Sequence, residues 1–447
     1  KKLFLVFSYL TLILVVAAFA SIVASTFNGF TAEGAPNDAN AAVAMISILF
    51  IIMAIIFGLA VYRRGAPLSV ATVLGVIGIV LCLVVGLNFH PIYLSNNTWM
   101  WIIGVYILIA SVAPVWILLQ PRDYLSSFLL YGMMIIAFVG VLGAGIMGQN
   151  TALEIPMFTE WKDPMTGLGT MFPALFVTIA CGAISGFHSL VGSGTTAKQL
   201  DHERDAKPIA YGGMLIECAL ALISLAAVSF IWKEYLAGDI RVPTQVFATG
   251  ISRMVASIPG LEATQTTVAS LLVLTVSAFC LTSLDTATRL ARYMFQEFWL
   301  KPGETYKDVT GIKATLCNPI VATAITVVLG VGLGMTGYSK IWPLFGAANQ
   351  LLAGLALLTV CAWLGNIGRN NKMFYIPMVF MMIVTIWSLF QTVTNRIGQI
   401  TSDNPEVLAK VDWGTYAQAI LGALLFVLAI VLAVEGCMTI FGKKNKK

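Results

Sequence analysis

The sequence predicts an all-α protein that crosses a membrane many times. Of its 447 residues, 58% are hydrophobic and only 11% are charged, and the mean hydropathy is +0.88. A soluble domain carries about 25% charged residues, so a soluble fold is excluded. Apolar runs long enough to cross a ~30 Å hydrocarbon core recur along the whole chain.

Twelve apolar runs are predicted to form transmembrane helices within a single transmembrane domain over residues 1–447. They lie at about 3–27, 40–62, 67–88, 98–119, 126–147, 170–196, 208–232, 266–296, 314–335, 341–364, 373–394 and 413–437. An even number of crossings puts both ends of the visible chain on the same side of the membrane.

The basic residues predict which side that is, because cytoplasmic loops carry an excess of Lys and Arg. Nineteen of the 26 basic residues lie in one set of segments, which includes Arg64, Arg122 and the tail Lys443–Lys447. The opposite set holds the other seven: Lys162, Lys233, Arg241, Arg253, Lys340, Arg396 and Lys410. Both ends are therefore predicted to be cytoplasmic.

Two connections on the predicted external side are long, 148–169 and 233–265. Within the second, Phe247, Ile251 and Met254 form an apolar face at helical spacing together with Val255. This pattern predicts a helix that either lies on the outer surface or gates an outward cavity.

The most polar stretch inside any apolar run lies at 182–196, where glycines, hydroxyl residues and a histidine are concentrated. In hydrocarbon, every backbone polar group must be satisfied by the protein, so irregular backbone at membrane depth implies a protein-lined cavity. We therefore predict a discontinuous helix at about 170–196, of the kind that forms binding sites in transporters.

The polar residues of this segment are candidates for substrate binding. A second half-helix that begins near Gly192–Thr196 would present free N–H groups and a positive dipole end to a carboxylate. The alternative is that the glycines only allow close helix packing, which Gly182 and Gly186 suit by their four-residue spacing. The candidates are Ser185, His188, Ser189, Ser193, Gly194, Thr195 and Thr196.

His188 also has a second predicted role. Imidazole gains and loses a proton near neutral pH, which suits a proton-coupled carrier. The alternative is a neutral histidine that is hydrogen-bonded to a carbonyl group.

Two adjacent amides, Asn349 and Gln350, lie inside the run 341–364. Neither side chain can face lipid without a large free-energy cost. Both are candidates for substrate binding in a cavity, and the alternative is that they join neighbouring helices.

Ionisable residues within spans are candidates for coupling or gating. Glu217 lies near the middle of 208–232, where a buried carboxyl must be protonated or paired. It either carries the coupling proton or is a protonated structural glutamate.

A polar stripe runs along 266–296. Thr282, Asp285 and Arg289 share one helix face, Asp285 and Arg289 form an i,i+4 pair, and the hydroxyl of Ser283 is adjacent. The stripe is either an inner gate or ion site, or an ion pair at the membrane interface.

Several classes of function are not supported. There is no HExxH motif, nucleophile elbow or phosphate loop, so we predict no enzyme and no catalytic residue. The seven cysteines have no metal-binding spacing, so no metal site and no cofactor are expected. The basic residues follow the topology, so the predicted partners are a solute and the lipid bilayer rather than nucleic acid.

Three strings in this sequence resemble the carbon starvation protein A (CstA) family of bacterial carriers. They are GAISGFHSLVGSGTTAKQLDHERDAKPIAYGGMLIE, LTSLDTATRLARY and WPLFGAANQLLAGLAL, in this order. The resemblance runs through nearly all of the chain.

The resemblance implies a fold similar to that of the amino acid–polyamine–organocation superfamily (LeuT-like), with inverted five-helix repeats. It would make 170–196 the broken first helix of the second repeat. It also implies about three further spans before Lys1, among them a glycine-rich broken helix.

The resemblance further implies a transporter in the bacterial inner membrane. The first expectation is import of a small carboxylate, foremost pyruvate, by proton symport, with sodium as the alternative coupling ion. The second is uptake of peptides during carbon starvation, since a peptide also carries a carboxylate. An ion or solute channel is the third, because a channel can also contain broken helices and cavity hydroxyls.

Overall fold

The computed structural model describes residues 1–31, 33–148, 155–158, 160–162, 170–238, 240, 242–409 and 411–441, with side chains to residue 438. Most of the connection 148–169 therefore lies outside the described residues. So do three of the features used to predict orientation, namely Arg241, Lys410 and the tail Lys443–Lys447. The orientation of the chain stays a prediction.

The described chain is helical throughout, apart from loops and two isolated bridges, which confirms the all-α prediction. The α-helices are α1 (Lys2–Phe27), α2 (Asp38–Gly58), α3 (Leu68–Asn88), α4 (Asn96–Val112), α5 (Leu119–Ile146), α6 (Phe176–Ile179), α7 (Gly186–Gly194), α8 (Ala206–Phe230), α9 (Trp232–Ala237), α10 (Pro243–Ala256), α11 (Gln265–Trp299), α12 (Ile312–Cys317), α13 (Pro319–Gly334), α14 (Tyr338–Asn366), α15 (Lys372–Ile400), α16 (Pro405–Leu408) and α17 (Trp413–Phe441).

Ten helical segments of the described chain are long and apolar enough to cross a membrane, so the protein is a multi-pass membrane protein. The predicted number of twelve full spans is not confirmed. At the other two predicted positions, α4 has 17 residues and α13 has 16. At ~1.5 Å per residue these helices reach only ~24–26 Å, less than the ~30 Å core.

Capping residues explain where several helices begin. The side chain of Ser95 accepts a hydrogen bond from the backbone N–H of Thr98 at the start of α4. Asn318 caps α13 in the same way, and Pro319 occupies the first position of that helix, where a missing N–H has no consequence. Polar residues in these short connections therefore separate consecutive apolar helices and cap the second one.

The chain divides into two compact units, each built from segments that are distant in sequence. Unit 1 comprises Lys1–Ala18, Thr159–Gly212 and Thr286–Lys447. Unit 2 comprises Phe19–Phe158 and Gly213–Asp285.

Two hydrophobic clusters lie among the described residues of unit 2. The first joins α2, α3, α5 and α11 and includes Phe57 and Leu125. The second joins α5, α8, α10 and α11 and includes Ala227 and Ile251. Here α10 approaches α8 so closely that a Cβ added at Gly250 would lie 2.3 Å from the carbonyl oxygen of Ala227.

The helix predicted within 233–265 is α10, and its apolar face is packed into this second cluster. Ile251, Met254 and Val255 are buried there, and Phe247 packs against them. Since half of its residues are buried, α10 is an integral part of unit 2. Its external position stays a prediction.

Unit 1 is organised around α14, which packs against α7, α15 and α17. The middle of α14 is buried on all sides, and apart from the two amides Asn349 and Gln350 its residues there are apolar or small. An ion pair between Lys340 and Asp412 links the start of α14 to the residue before α17. The hydrogen bond from Lys340 holds the pKa of the Asp412 carboxyl below its ordinary value.

Candidate functional site

The predicted discontinuous helix is interrupted between α6 and α7. The segment begins at Met171–Leu175 with a kink at Phe172, whose backbone is extended (φ −121°, ψ 132°). It continues through α6 and tightens into a 3-10 turn at Ala180–Gly182. Ser185 then takes an extended conformation, with φ −132° and ψ 127°, and α7 begins at the next residue. Helical geometry is therefore lost within 182–196, as predicted.

Side-chain hydrogen bonds from Ser185 and Asn349 stabilise the interruption. The Oγ of Ser185 accepts from the backbone N–H of His188 at 3.4 Å. The Oδ1 of Asn349, on α14, accepts from the backbone N–H of Phe187 at 2.7 Å. The Nδ2 of Asn349 donates to Ser185 Oγ at 3.0 Å and to Cys181 Sγ at 3.2 Å. One amide on α14 thus joins both sides of the break.

The backbones of α7 and α14 are in close contact at this point. A Cβ added at Gly186 would lie 2.4 Å from the carbonyl oxygen of Asn349 and 2.6 Å from the backbone nitrogen of Ala353. At Gly182, by contrast, no atom lies within 4 Å of an added Cβ. The close-packing alternative therefore applies to Gly186 and not to Gly182.

The predicted start of the second half-helix was wrong. It begins at Gly186, not near Gly192–Thr196, because Ser185 is an effective N-cap and the later glycines lie at the other end of α7. There the backbone N–H of Thr195 already donates to the carbonyl oxygen of Val191 at 2.9 Å. Gly194 and Thr195 therefore lie at the negative end of the helix dipole.

The other polar side chains of α7, and of the 3-10 turn Thr196–Lys198 that follows it, are at least partly accessible. His188 and Ser193 are exposed, and Ser189 and Thr196 are half-buried. The hydroxyls of Ser189 and Ser193 donate to helix carbonyl oxygens, at 2.6 Å to Gly186 and 2.8 Å to Ser189. In this conformation these two hydroxyls can therefore only accept a hydrogen bond from a ligand. His188 is the exposed side chain that can donate one.

The two adjacent amides of α14 differ in their surroundings. Both Asn349 and Gln350 are 0% exposed. For Asn349 the geometry favours the interhelical alternative, since it bonds to three residues of the broken segment. Neither polar atom of the Gln350 amide has a hydrogen-bond partner among the described residues.

A second polar cluster lies within unit 2 and is centred on a buried ion pair. Arg122 of α5 pairs with Asp285 of α11, and each residue is about 1% exposed. Tyr106 of α4 donates to Asp285 Oδ2 at 3.0 Å and accepts from Arg122. The hydroxyl of Thr282 donates to Asp123 Oδ1 at 3.0 Å, which joins α11 to α5 a second time.

The cluster changes the interpretation of the stripe on 266–296. The structure brings Thr282 and Asp285 against α5, while Ser283 is half-buried. Asp285 and Arg289 are 1% and 7% exposed, so both are buried within the described chain. The gate and the ion-pair alternative both stay predictions. The sequence did not predict that Arg122, Asp123 and Tyr106 belong to this cluster. The one signal was the adjacent pair Arg122 and Asp123 at the start of an apolar run.

Glu217 faces the surface of the described chain, and its predicted position at mid-depth of the membrane stays a prediction. It is exposed on α8, which packs against the described chain through Ile223, Ala227 and Ser229, more than one turn further along. Across the described residues no group of three or more His, Cys, Asp or Glu side chains lies close enough to hold a metal ion.

These features define a multi-pass helical membrane protein with an interrupted helix whose break is anchored by a buried amide. The family model of carbon starvation protein CstA matches residues 1–241 and 232–388. The chain therefore belongs to the CstA family, which confirms the resemblance predicted from its motifs.

Curated relatives carry two kinds of name. The chain is 31% identical over 396 residues to the "Peptide transporter CstA" of Escherichia coli, which covers 73% of this chain and 55% of the relative. It is 33% identical over 342 residues to the protein of the same name in Helicobacter pylori, covering 64% and 49%. It is 30% identical over 359 residues to the "Pyruvate/proton symporter BtsT" of E. coli, covering 64% and 49%.

These relatives are named as transporters and not as enzymes. The chain spans about half the length of the curated relatives it matches.

Proposed function

We propose that this chain forms part or all of a secondary active transporter of the bacterial inner membrane that imports a small carboxylate, foremost pyruvate, by proton symport. The observation that supports this most is the break at Ser185, which Asn349 holds open by hydrogen bonds. Interrupted helices at membrane depth form the binding sites of secondary transporters. The pyruvate/proton symporter among the relatives supports the choice of substrate.

In this proposal the carboxylate lies near the start of α7. The helix dipole is positive there, and His188 is exposed one turn beyond the cap. Protonated His188 would donate a charge-assisted hydrogen bond, and Ser185 would contact the same ligand. Asn349 is then a positioning residue, because its amide is fully occupied by the broken segment.

The remaining predicted binding residues have smaller roles in the proposal. Ser189 and Ser193 would accept hydrogen bonds from the ligand or from water along α7. Gly194, Thr195 and Thr196, at the opposite end of α7, would contact the ligand only on its way to or from the site. Gln350, which is buried beside Asn349 on α14, would contact it only if α14 moved.

Coupling is proposed to involve His188, Glu217 or both, with protons as the driving ion. The polar stripe of Thr282, Ser283 and Asp285 with Arg289 would act as a gate. Asp285 supports this role because it is paired inside the protein rather than solvated. The inverted-repeat, LeuT-like arrangement of the helices is part of the same proposal.

Peptide uptake is the second candidate function. Several relatives, including those from E. coli and H. pylori, are named peptide transporters. The C-terminus of a peptide is a carboxylate and would make the same contacts at the start of α7.

The proposal is tested by uptake into proteoliposomes that contain the full chain. We expect labelled pyruvate to accumulate above its equilibrium level only under an inward proton gradient, and a protonophore to abolish this accumulation. Accumulation of labelled alanyl-alanine without pyruvate would favour the peptide candidate. Equilibration without accumulation of either solute would indicate a channel and contradict the proposal.

The same assay tests the coupling residues. If Glu217 carries the proton, Glu217→Gln should keep exchange of pyruvate across the membrane and lose gradient-driven accumulation. Glu262→Gln, which changes an exposed glutamate outside the predicted spans, is the control. Unchanged accumulation in Glu217→Gln would assign the coupling to another group, with His188→Gln as the next variant.

A further inference from the structure

Unit 2 contains a cavity of about 230 Å³ that none of the roles above uses. It lies between the start of α2, the first half of α10 and the first half of α11. A single water needs roughly 10–15 Å³ of such space, so the cavity has room for a small solute. It is separate in sequence from the break at Ser185, which belongs to unit 1.

The polar lining of this cavity consists of amides and hydroxyls. These are the side chains of Asn37, Asn40, Gln245, Thr249, Thr266 and Ser270. Amide side chains offer a donor and an acceptor side by side, and a hydroxyl can serve as either.

Several of these polar groups have no other partner. Gln245, Thr249 and Ser270 make no side-chain hydrogen bond with any described residue, although Ser270 is only 4% exposed. Elsewhere on α11 a buried hydroxyl is satisfied by its own helix, since Thr275 Oγ1 donates to the carbonyl oxygen of Leu271 at 2.8 Å. Ser270 lines the cavity, so its hydroxyl can pair with a ligand or with water there.

The charge of the lining argues against an ionic ligand. None of the described residues that line the cavity is charged. The N-terminus of α2 is already capped by the side chain of Asn37 and carries Asp38 in its first turn. An anion would therefore lie near a carboxylate, and neither sign of charge would meet an opposite charge among the described residues of the lining.

We propose that this cavity is a second solute site, which binds a small uncharged molecule that carries an amide group. The N–H of the ligand amide donates to Oδ1 of Asn40, whose Nδ2 already donates to the carbonyl oxygens of Ser25 and Asn28. The carbonyl of the ligand amide accepts from Nε2 of Gln245, and the hydroxyls of Thr249 and Ser270 pair with its remaining polar atoms. Ala248, Ala269 and the valines of the lining contact its apolar part. This site differs from the proposed carboxylate site in both its location and the charge of its ligand.

The test is direct binding to the purified full chain, measured by isothermal titration calorimetry. The probes are N-acetylglycinamide, which is neutral, and N-acetylglycinate, which has nearly the same size and a negative charge. We expect saturable binding of the amide and at least about tenfold weaker binding of the acid. Equal affinities, or no saturable binding of the amide, would overturn the proposal.

Variants locate the binding site. Thr249→Val and Ser270→Ala each remove a hydroxyl and should weaken binding of the amide about tenfold. Ala269→Met fills the cavity and should abolish binding, which keeps the test informative if one hydroxyl variant fails to fold. Thr275→Val is the matched control on α11 and should bind as the wild type does. Wild-type affinity in all three cavity variants would contradict the assignment.

The outcome is independent of the proposed transport function, because no gradient and no uptake are involved. Ser185→Ala, at the break in unit 1, should leave binding of N-acetylglycinamide unchanged. Competition by pyruvate at this site would show that the cavity is not specific for neutral solutes and would also overturn the proposal.

Discussion

Asn349 stabilises the non-helical backbone between α6 and α7. Without this side chain, polar groups of that backbone would be unsatisfied at membrane depth. Without its Oδ1, the backbone N–H of Phe187 would lose its acceptor, which costs about 1–3 kcal/mol for a buried group. Its Nδ2 also satisfies Ser185, the cap of α7. Ser185 therefore sets where α7 begins, and a single side chain on α14 holds that cap in place.

A negative charge introduced at position 349 tests whether the start of α7 binds an anion. Asn349→Asp keeps an acceptor for Phe187 but adds a negative charge beside the proposed carboxylate site. We expect pyruvate uptake to fall at least about tenfold, which corresponds to ~1.4 kcal/mol. Asn318→Asp makes the same change at the cap of α13 and should have no effect, since Asn and Asp cap helices equally well. Normal uptake by a correctly inserted Asn349→Asp protein would contradict anion binding at the break.

The Arg122–Asp285 pair is predicted to matter for stability. Asp285→Asn would leave Arg122 charged and buried, and breaking a buried pair costs about 3–5 kcal/mol. The midpoint of thermal unfolding should therefore fall clearly in Asp285→Asn and recover in part when Arg122→Gln is added. Glu297→Gln, which breaks the exposed pair with Lys1, should cost at most about 1 kcal/mol. Equal midpoints for Asp285→Asn and Glu297→Gln would refute the structural role of the buried pair.

Individual polar residues could be predicted from the sequence, but their partners could not. Ser185 and Asn349 were recognisable because each is polar within an apolar run. Their contact joins residues 164 positions apart, and no local pattern encodes it. Arg122 was counted as a topology signal because an arginine near the end of a span has that meaning in most membrane proteins.

At the scale of the element, the interruption of 170–196 has two separate causes. Glycine and hydroxyl density makes the segment irregular, and this was visible in the sequence. The position of the break depends on which residue caps the second helix, and here Ser185 does so with the N–H of His188. Since Gly192–Thr196 contains the same residue types, composition alone could not distinguish the start of α7 from its end.

Two glycines of this segment provide a matched test of the packing. Gly186→Ala would place a methyl group 2.4 Å from the backbone oxygen of Asn349, so α7 and α14 must separate. Gly182→Ala meets nothing within 4 Å. We expect Gly186→Ala to lower both the thermal midpoint and pyruvate uptake, and Gly182→Ala to resemble the wild type in both. Equal effects of the two changes would show that α7 does not pack on α14 in this way.

At the scale of the whole molecule, hydropathy predicted where the helices lie because apolar runs have no other stable state in a membrane. It predicted their lengths less well, since α4 and α13 end early at polar or proline-containing connections. The two units could not be predicted, because each brings together segments that are distant in sequence.

The predicted orientation is tested by cysteine labelling in intact cells, on a background from which all seven cysteines have been removed. A cysteine at Glu262 should react with an impermeant maleimide added outside. A cysteine at Arg64 should react only after the membrane is opened. The reverse pattern would place both ends of the visible chain outside and would contradict the distribution of basic residues.

The central claim is that the protein binds a carboxylate for transport, and one competition experiment tests it most directly. Pyruvate and pyruvamide have nearly the same shape, and only pyruvate carries a charge. Charge-assisted hydrogen bonds contribute about 1.5–3 kcal/mol each, so uptake of labelled pyruvate should be inhibited by pyruvate at a concentration at least about tenfold lower than by pyruvamide. Equal inhibition by the acid and the amide would show that the charge is not recognised, and would contradict the account.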